Sequence, residues 1–133
     1  MVSDKLRHLF LLSLLLIYAH GVEEIVNGFQ DSDSFMIYGA NLFNTTPEIF
    51  YWVSHLIWWA FLPILFLLFN KKRLGLILMT LYGFVFFIEL HHPIKGLLVG
   101  SYYPGMITAM LYPIFGIFYW KQIIKDWKLK KSN

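Results

Sequence analysis

Several ionisable residues of this chain stand at spacings that let them act together. His20, Glu23 and Glu24 occupy i, i+3 and i+4, one face of a helix. Glu89 and His92 are three apart and share a face, while His91 is rotated about 100° from His92. His55 lies between these two groups in the sequence. Neutral imidazole and carboxylate are ligands for zinc, iron or manganese. Helical bundles build carboxylate-bridged dinuclear sites from Glu residues and Glu-x-x-His pairs on facing helices. Glu89-Leu90-His91-His92 contains such a pair, and His20-Gly21-Val22-Glu23 is the same pair reversed. Two or three His with one carboxylate and an open position would instead suit catalytic zinc. Such a metal lowers the pKa of bound water toward about 7 and polarises a carbonyl or phosphoryl oxygen. Glu24 or Glu23, left over, would then serve as general base.

These residues need elements that hold them at one depth. The chain has 133 residues, 58% hydrophobic and 14% charged, with mean hydropathy +0.58. A soluble domain carries roughly 45–50% apolar and about 25% charged residues. A water-soluble fold of this size has too much surface to hide so many apolar side chains. The composition excludes a soluble enzyme, a disordered chain and a disulfide scaffold. With no cysteine, thiolate metal sites, iron–sulfur clusters and cysteine nucleophiles are excluded as well.

Four apolar stretches, at about 6–26, 49–69, 74–93 and 103–124, each approach the roughly 20 residues that span a bilayer core. An outer loop at 27–48 and a basic tail at 125–133 complete a single membrane domain. The expected fold is all-α, an integral membrane bundle of four transmembrane helices, since helices are the open-chain solution in lipid. At 1.5 Å per residue, His20 stands about 20 Å above Arg7, His55 about 24 Å above Lys71, and Glu89 about 24 Å above Arg73. Three segments of alternating direction thus set their ionisable groups at one height, in the outer leaflet. Intramembrane ionisable residues are costly and are functional candidates by default. His8, beside Arg7, reads as a snorkelling residue at the cytoplasmic edge.

Ten of the eleven basic residues fall in three clusters: Lys5 and Arg7, Lys71 to Arg73, and Lys121 to Lys131. By the positive-inside rule both termini are cytoplasmic, and the plasma membrane is the expected location. Only Lys95 lies on the other side, where it can pair with Glu89 or Glu24. The net charge of +3 and pI near 9.1 are then an orientation signal against anionic lipid, not a nucleic-acid footprint. Lys5, Arg7, the apolar run from Leu9 to Ala19 and the small residues Ala19 and Gly21 also fit a cleavable signal peptide. Cleavage there would remove His20. Tyr51, Trp52, Tyr102 and Tyr103 read as anchors at the outer interface, and Tyr119, Trp120 and Trp127 as anchors at the inner one. Asn44-Thr45-Thr46 fits a glycosylation acceptor on the outer loop. Pro93 is expected to end or kink the third span, and Pro63 and Pro113 to kink the second and fourth. Gly96 and Gly100 read as close packing or a turn in a connecting segment.

His20-Gly21-Val22-Glu23-Glu24 matches the motif of the HXXEE family of small multi-pass membrane proteins. His92, followed by Tyr102-Tyr103-Pro104-Gly105-Met106-Ile107-Thr108-Ala109, resembles that family's later His and Tyr-x-Pro-Gly-x-x-Thr-Ala block. The two blocks lie in the family's order and reach from the first span to the fourth. The family is uncharacterised, so the resemblance implies no reaction. It does imply that His20, Glu23 and Glu24 act as a unit, which argues against cleavage after Ala19. It also draws Tyr103, Pro104, Gly105 and Thr108 toward the site. Glu89 and His55 rest on depth and spacing alone.

The sequence thus points to a metal-dependent membrane enzyme acting in the outer leaflet. Its expected metal ligands are His20, Glu23, Glu24, His55, Glu89 and His92. Glu24, Glu23, Tyr103 and Thr108 are the other catalytic candidates. The cofactor is a divalent ion, with zinc or iron foremost. A lipid-like substrate arriving from the bilayer is the expected partner, with hydrolysis or group transfer as the reaction. A small ion or solute transporter and a non-catalytic membrane subunit stay open.

Overall fold

The apolar stretches form four helices long and apolar enough to cross a membrane: Asp4–Val26, Pro47–Leu68, Arg73–Val99 and Met106–Leu129. The structure, a computed structural model, describes residues 2–68 and 72–131. The Phe69 end of the second span, Asn70 and Lys71 of the basic link, and Ser132 and Asn133 of the tail lie outside the described residues. The fold is 83% helical, with no strand among the described residues. Its helices are α1 (Asp4–Val26), α2 (Phe29–Ser32), α3 (Ser34–Leu42), α4 (Pro47–Leu68), α5 (Lys72–Tyr82), α6 (Val85–Ile88), α7 (His91–Val99), α8 (Met106–Ala109) and α9 (Tyr112–Lys131). α5 to α7 make the third span, and α8 with α9 the fourth.

On α1 the buried residues Leu6, Phe10, Ser13, Ile17, His20 and Glu24 recur at steps of four and three, a single seam facing the bundle. The seam begins apolar and ends ionisable, so the residues that pack α1 also deliver the site. Leu12, Leu15, Leu97 and Leu98 are exposed, as befits helix faces solvated by lipid. α1 packs on α9 and α8, α6 on α9, and α4 on α5, α2 and α3. The Ser3 amide donates to Asp126 Oδ2 at 2.9 Å, and Gln122 Nε2 donates to Ser3 Oγ at 3.1 Å. The start of α1 and the end of α9 therefore meet on one side of the bundle, as an even number of crossings requires.

Three features depart from the sequence reading. The 27–48 connection is helical. Asp33 begins α3 by accepting hydrogen bonds from the Phe35 and Met36 amides, and Thr46 Oγ1 accepts from the Ile49 amide at the start of α4. The third span runs on past Pro93 to Val99. Pro93 is the third residue of α7, in the first turn, where its missing N–H leaves no gap in the helical ladder. The inner aromatics are ties between helices and do not serve only as anchors. Tyr119 is fully buried and donates to the Met79 carbonyl at 3.1 Å, Trp120 donates to the Gly83 carbonyl at 3.0 Å, and Trp127 to Thr80 Oγ1 at 3.0 Å.

The third span also changes pitch where it matters. The amides of Phe84, Phe87, Leu90 and His92 each donate to the carbonyl three residues earlier. Three-residue turns bring i and i+3 into line, so Glu89 and His92 stand one above the other and point the same way.

A candidate metal centre

Four side chains from two spans converge. One ligand atom each from His20, Glu24, Glu89 and His92 lies within 4.8 Å of the others. His20 Nε2 is 3.0 Å from Glu89 Oε2, 3.2 Å from His92 Nε2 and 3.6 Å from Glu24 Oε1. His92 Nε2 is 3.2 Å from both Glu24 Oε1 and Glu89 Oε2. His20, Glu24 and His92 are buried.

The far side of each imidazole decides what faces the centre. His92 Nδ1 lies 2.6 Å from the Pro104 carbonyl oxygen, which only accepts, so Nδ1 carries the proton. The Thr108 hydroxyl donates to Glu23 Oε2 at 2.5 Å and thereby accepts from His20 Nδ1 at 2.7 Å. In the neutral tautomers that follow, both Nε2 atoms present lone pairs. Two lone pairs and two carboxylate oxygens then face one another in a buried space. A cation or an added proton has to stand among them, because unpartnered like-charged acceptors are costly there. Histidines whose second nitrogen is held by a carbonyl or a carboxylate-linked hydroxyl are oriented as metal ligands usually are.

The segment 103–109 builds this orientation. Gly105 has φ +83, a left-handed conformation that favours glycine, and a Cβ there would stand 2.7 Å from His20 Cε1 and His92 Nδ1. Both rings pack against its bare Cα. Glu23 is drawn elsewhere. Its Oε1 accepts from the Ile107 amide at 3.0 Å and the Tyr102 hydroxyl at 2.8 Å, and its Oε2 from the Thr108 amide at 2.8 Å. It thus caps the first turn of α8 and ties α1 to the fourth span, and the structure does not bring it into the four-residue group. Burial and the Glu23 carboxylate push the Tyr102 phenol up to about 12. Replacing Thr108 with Val removes the acceptor for His20 and a donor to Glu23. Metal affinity is expected to fall by about 10–100-fold, with Ser in its place restoring it, as isothermal titration would read.

His55 stands at the edge of the group, with Nε2 3.2 Å from Glu24 Oε2. Gly21 lets α4 approach α1 closely enough for this, since a Cβ there would meet Trp59 Cζ2 at 2.5 Å. Tyr51, read from sequence as an interface anchor, is buried and donates to Glu24 Oε2 at 2.9 Å. Its spacing of four from His55 was the available signal. His8 bonds the Asp4 carbonyl at the far end of α1, and His91 bonds the Ile88 carbonyl.

Lys95 pairs with Asp33, not with Glu89 or Glu24, and Tyr103 donates to the same Asp33 oxygen at 2.7 Å. Tyr103 thus lies beside the site, its ring tilted against that of His92 at a centroid distance of 5.8 Å, with its hydroxyl turned to Asp33. Burial alone would raise the Asp33 carboxyl, but Lys95 and Tyr103 outweigh it and hold the group below its ordinary value. A depressed folded pKa contributes stability above the unfolded value, about 3.9, and loses it as pH falls through the folded one. Amide protection over α2 and α3, taken relative to the intrinsic exchange rate at each pH, is therefore expected to fall as pH drops below about 3.9. Asp33→Asn should exchange fast already at neutral pH.

Two cavities reach the group from α3, α4 and the third span. One of about 400 Å³ is lined by His55, Trp58, Leu81, Tyr82, Val85 and Glu89, among others. The second, of about 410 Å³, is lined by Glu24, Asp33, His55, Glu89, His91 and Lys95, among others. They share Phe35, Met36, His55, Ile88 and Glu89, so two mostly apolar cavities adjoin at the site, the second with more charged side chains in its lining. No protein-family model, curated protein or solved structure matches the chain.

Proposed function

We propose that the chain is a metal-dependent integral membrane enzyme that hydrolyses, or transfers a group on, a lipid-like substrate. The observation that carries this reading is the convergence of His20, Glu24, Glu89 and His92 with both imidazoles held by their Nδ1 atoms. A divalent cation, zinc or iron foremost, would be held by this His/Glu group, where metal with an open coordination position would polarise a substrate oxygen. Thr108 and Gly105 act as positioning residues for the rings. Two mostly apolar cavities that meet at ionisable side chains support an amphiphile whose chain lies by Trp58 and Leu81 and whose polar end lies by Glu24 and Glu89.

In this reading both termini are cytoplasmic, the site is in the outer leaflet of the plasma membrane, and the chain is an HXXEE-family member. The basic clusters support the orientation. The two blocks that carry the family resemblance meet at one site. Pro104, Gly105 and Thr108 of the later block all touch His20 or His92.

The test is turnover. Metal-loaded protein in mixed micelles with a membrane lipid extract should yield a new lipid species by mass spectrometry, lost on chelation. Bound metal with an unchanged lipid pool, together with ion flux in liposomes that Glu89→Gln abolishes, would replace the enzyme with a transporter.

A further inference from the structure

We propose that the site holds a second divalent cation on the cavity side of Glu24, with that carboxylate bridging the two ions. The inference rests on the metal reading above and adds a position to it. Glu24 uses its two oxygens in different directions: Oε1 lies 3.2 Å from His92 Nε2, and Oε2 lies 3.2 Å from His55 Nε2. His55 is prepared as the other two imidazoles are. Its Nδ1 is 2.9 Å from the Tyr51 carbonyl oxygen, an acceptor, so the proton sits there and Nε2 presents a lone pair to Glu24 in the neutral ring. The Tyr51 hydroxyl, donating to Oε2, fixes the carboxylate plane between the two positions.

Access separates the two positions. His20 and His92 are buried, and an ion beside them is enclosed by four protein ligands. Closed sites of that kind are structural, whereas catalytic ones keep a position open to water or substrate. The open side belongs to His55 and Glu89, which line both cavities. An ion held there by His55 Nε2 and Glu24 Oε2, with the other oxygen of Glu89 as a second bridge, would face about 400 Å³ of space. Paired ions in hydrolytic and phosphoryl-transfer sites sit about 3.5–4 Å apart, a separation a single carboxylate bridges. Carboxylates from α1 and the third span, with a histidine from α4, thus give the second position ligands from three spans.

The full chain, purified in detergent, stripped by chelator and titrated with Mn2+, tests this. Elemental analysis should find two Mn2+ per chain, and electron paramagnetic resonance should show the coupled spectrum of a bridged pair. His55→Ala should retain one Mn2+ and give the uncoupled spectrum; His55→Gln serves if the alanine variant does not fold. One Mn2+ in the parent chain, with an uncoupled spectrum unchanged in the His55 variant, would overturn the second position and leave the first standing. No bound Mn2+, zinc or iron at all would overturn both.

Discussion

Replacing Glu24 with Gln is expected to empty the centre of metal while leaving the bundle folded. Glu24 is the side chain that all three site histidines approach, at 3.2–3.6 Å, and Tyr51 donates to it. The amide keeps the volume and one acceptor but removes the charge, and it turns the other oxygen into a donor. That loss should exceed the roughly 10–100-fold typical of removing an outer hydrogen-bond partner. It should also show in stability. A metal that binds only the folded chain raises its melting temperature, so chelator should lower that of the parent protein. In Glu24→Gln the chelator should have no further effect. Equal sensitivity of the two proteins to chelator would remove Glu24 from the ligand set.

Gly105→Ala is expected to be nearly as damaging although it changes no ligand. The new methyl would stand 2.7 Å from His20 Cε1 and His92 Nδ1 and 2.8 Å from His92 Cε1, so both rings must move. His92 would lose its bond to Pro104, and the left-handed φ of +83 adds strain. Overpacking of about 1–3 kcal/mol and backbone strain of about 1–2 kcal/mol together predict a marked fall in melting temperature. Metal affinity should fall by about 10-fold or more as the rings lose their orientation. Gly100→Ala is the control. Its φ is +66, yet nothing lies within 4 Å of the added carbon, so it should lose a little stability and no metal affinity.

How much was legible in the sequence follows from how local each signal was. The four spans are written in apolar runs, and the convergence of His20, Glu24, Glu89, His92 and His55 in helical spacing and depth. Glu23 shows where spacing stops. It shares a helical face with His20 as nearly as Glu24 does, and only the neighbouring elements send one carboxylate to α4 and the other to α8. The cap at Asp33 was a readable helix start, but its bond to Lys95 joins residues far apart in the chain. Tyr51 carried a helical spacing to His55, but its burial comes from Phe29, Met36 and Tyr103, distant in the chain. The tight turns that align Glu89 with His92 leave no mark in the apolar run that precedes them.

The central claim is that this chain binds metal through its His/Glu group, and metal content tests it most directly. Protein purified in detergent, loaded in turn with zinc, iron(II) and manganese, and desalted should retain at least one equivalent of one of them. A His20→Ala variant with unchanged helicity should retain at least one equivalent fewer. Retention of no metal by the parent chain under any of these conditions, or equal retention by the variant, would contradict the account.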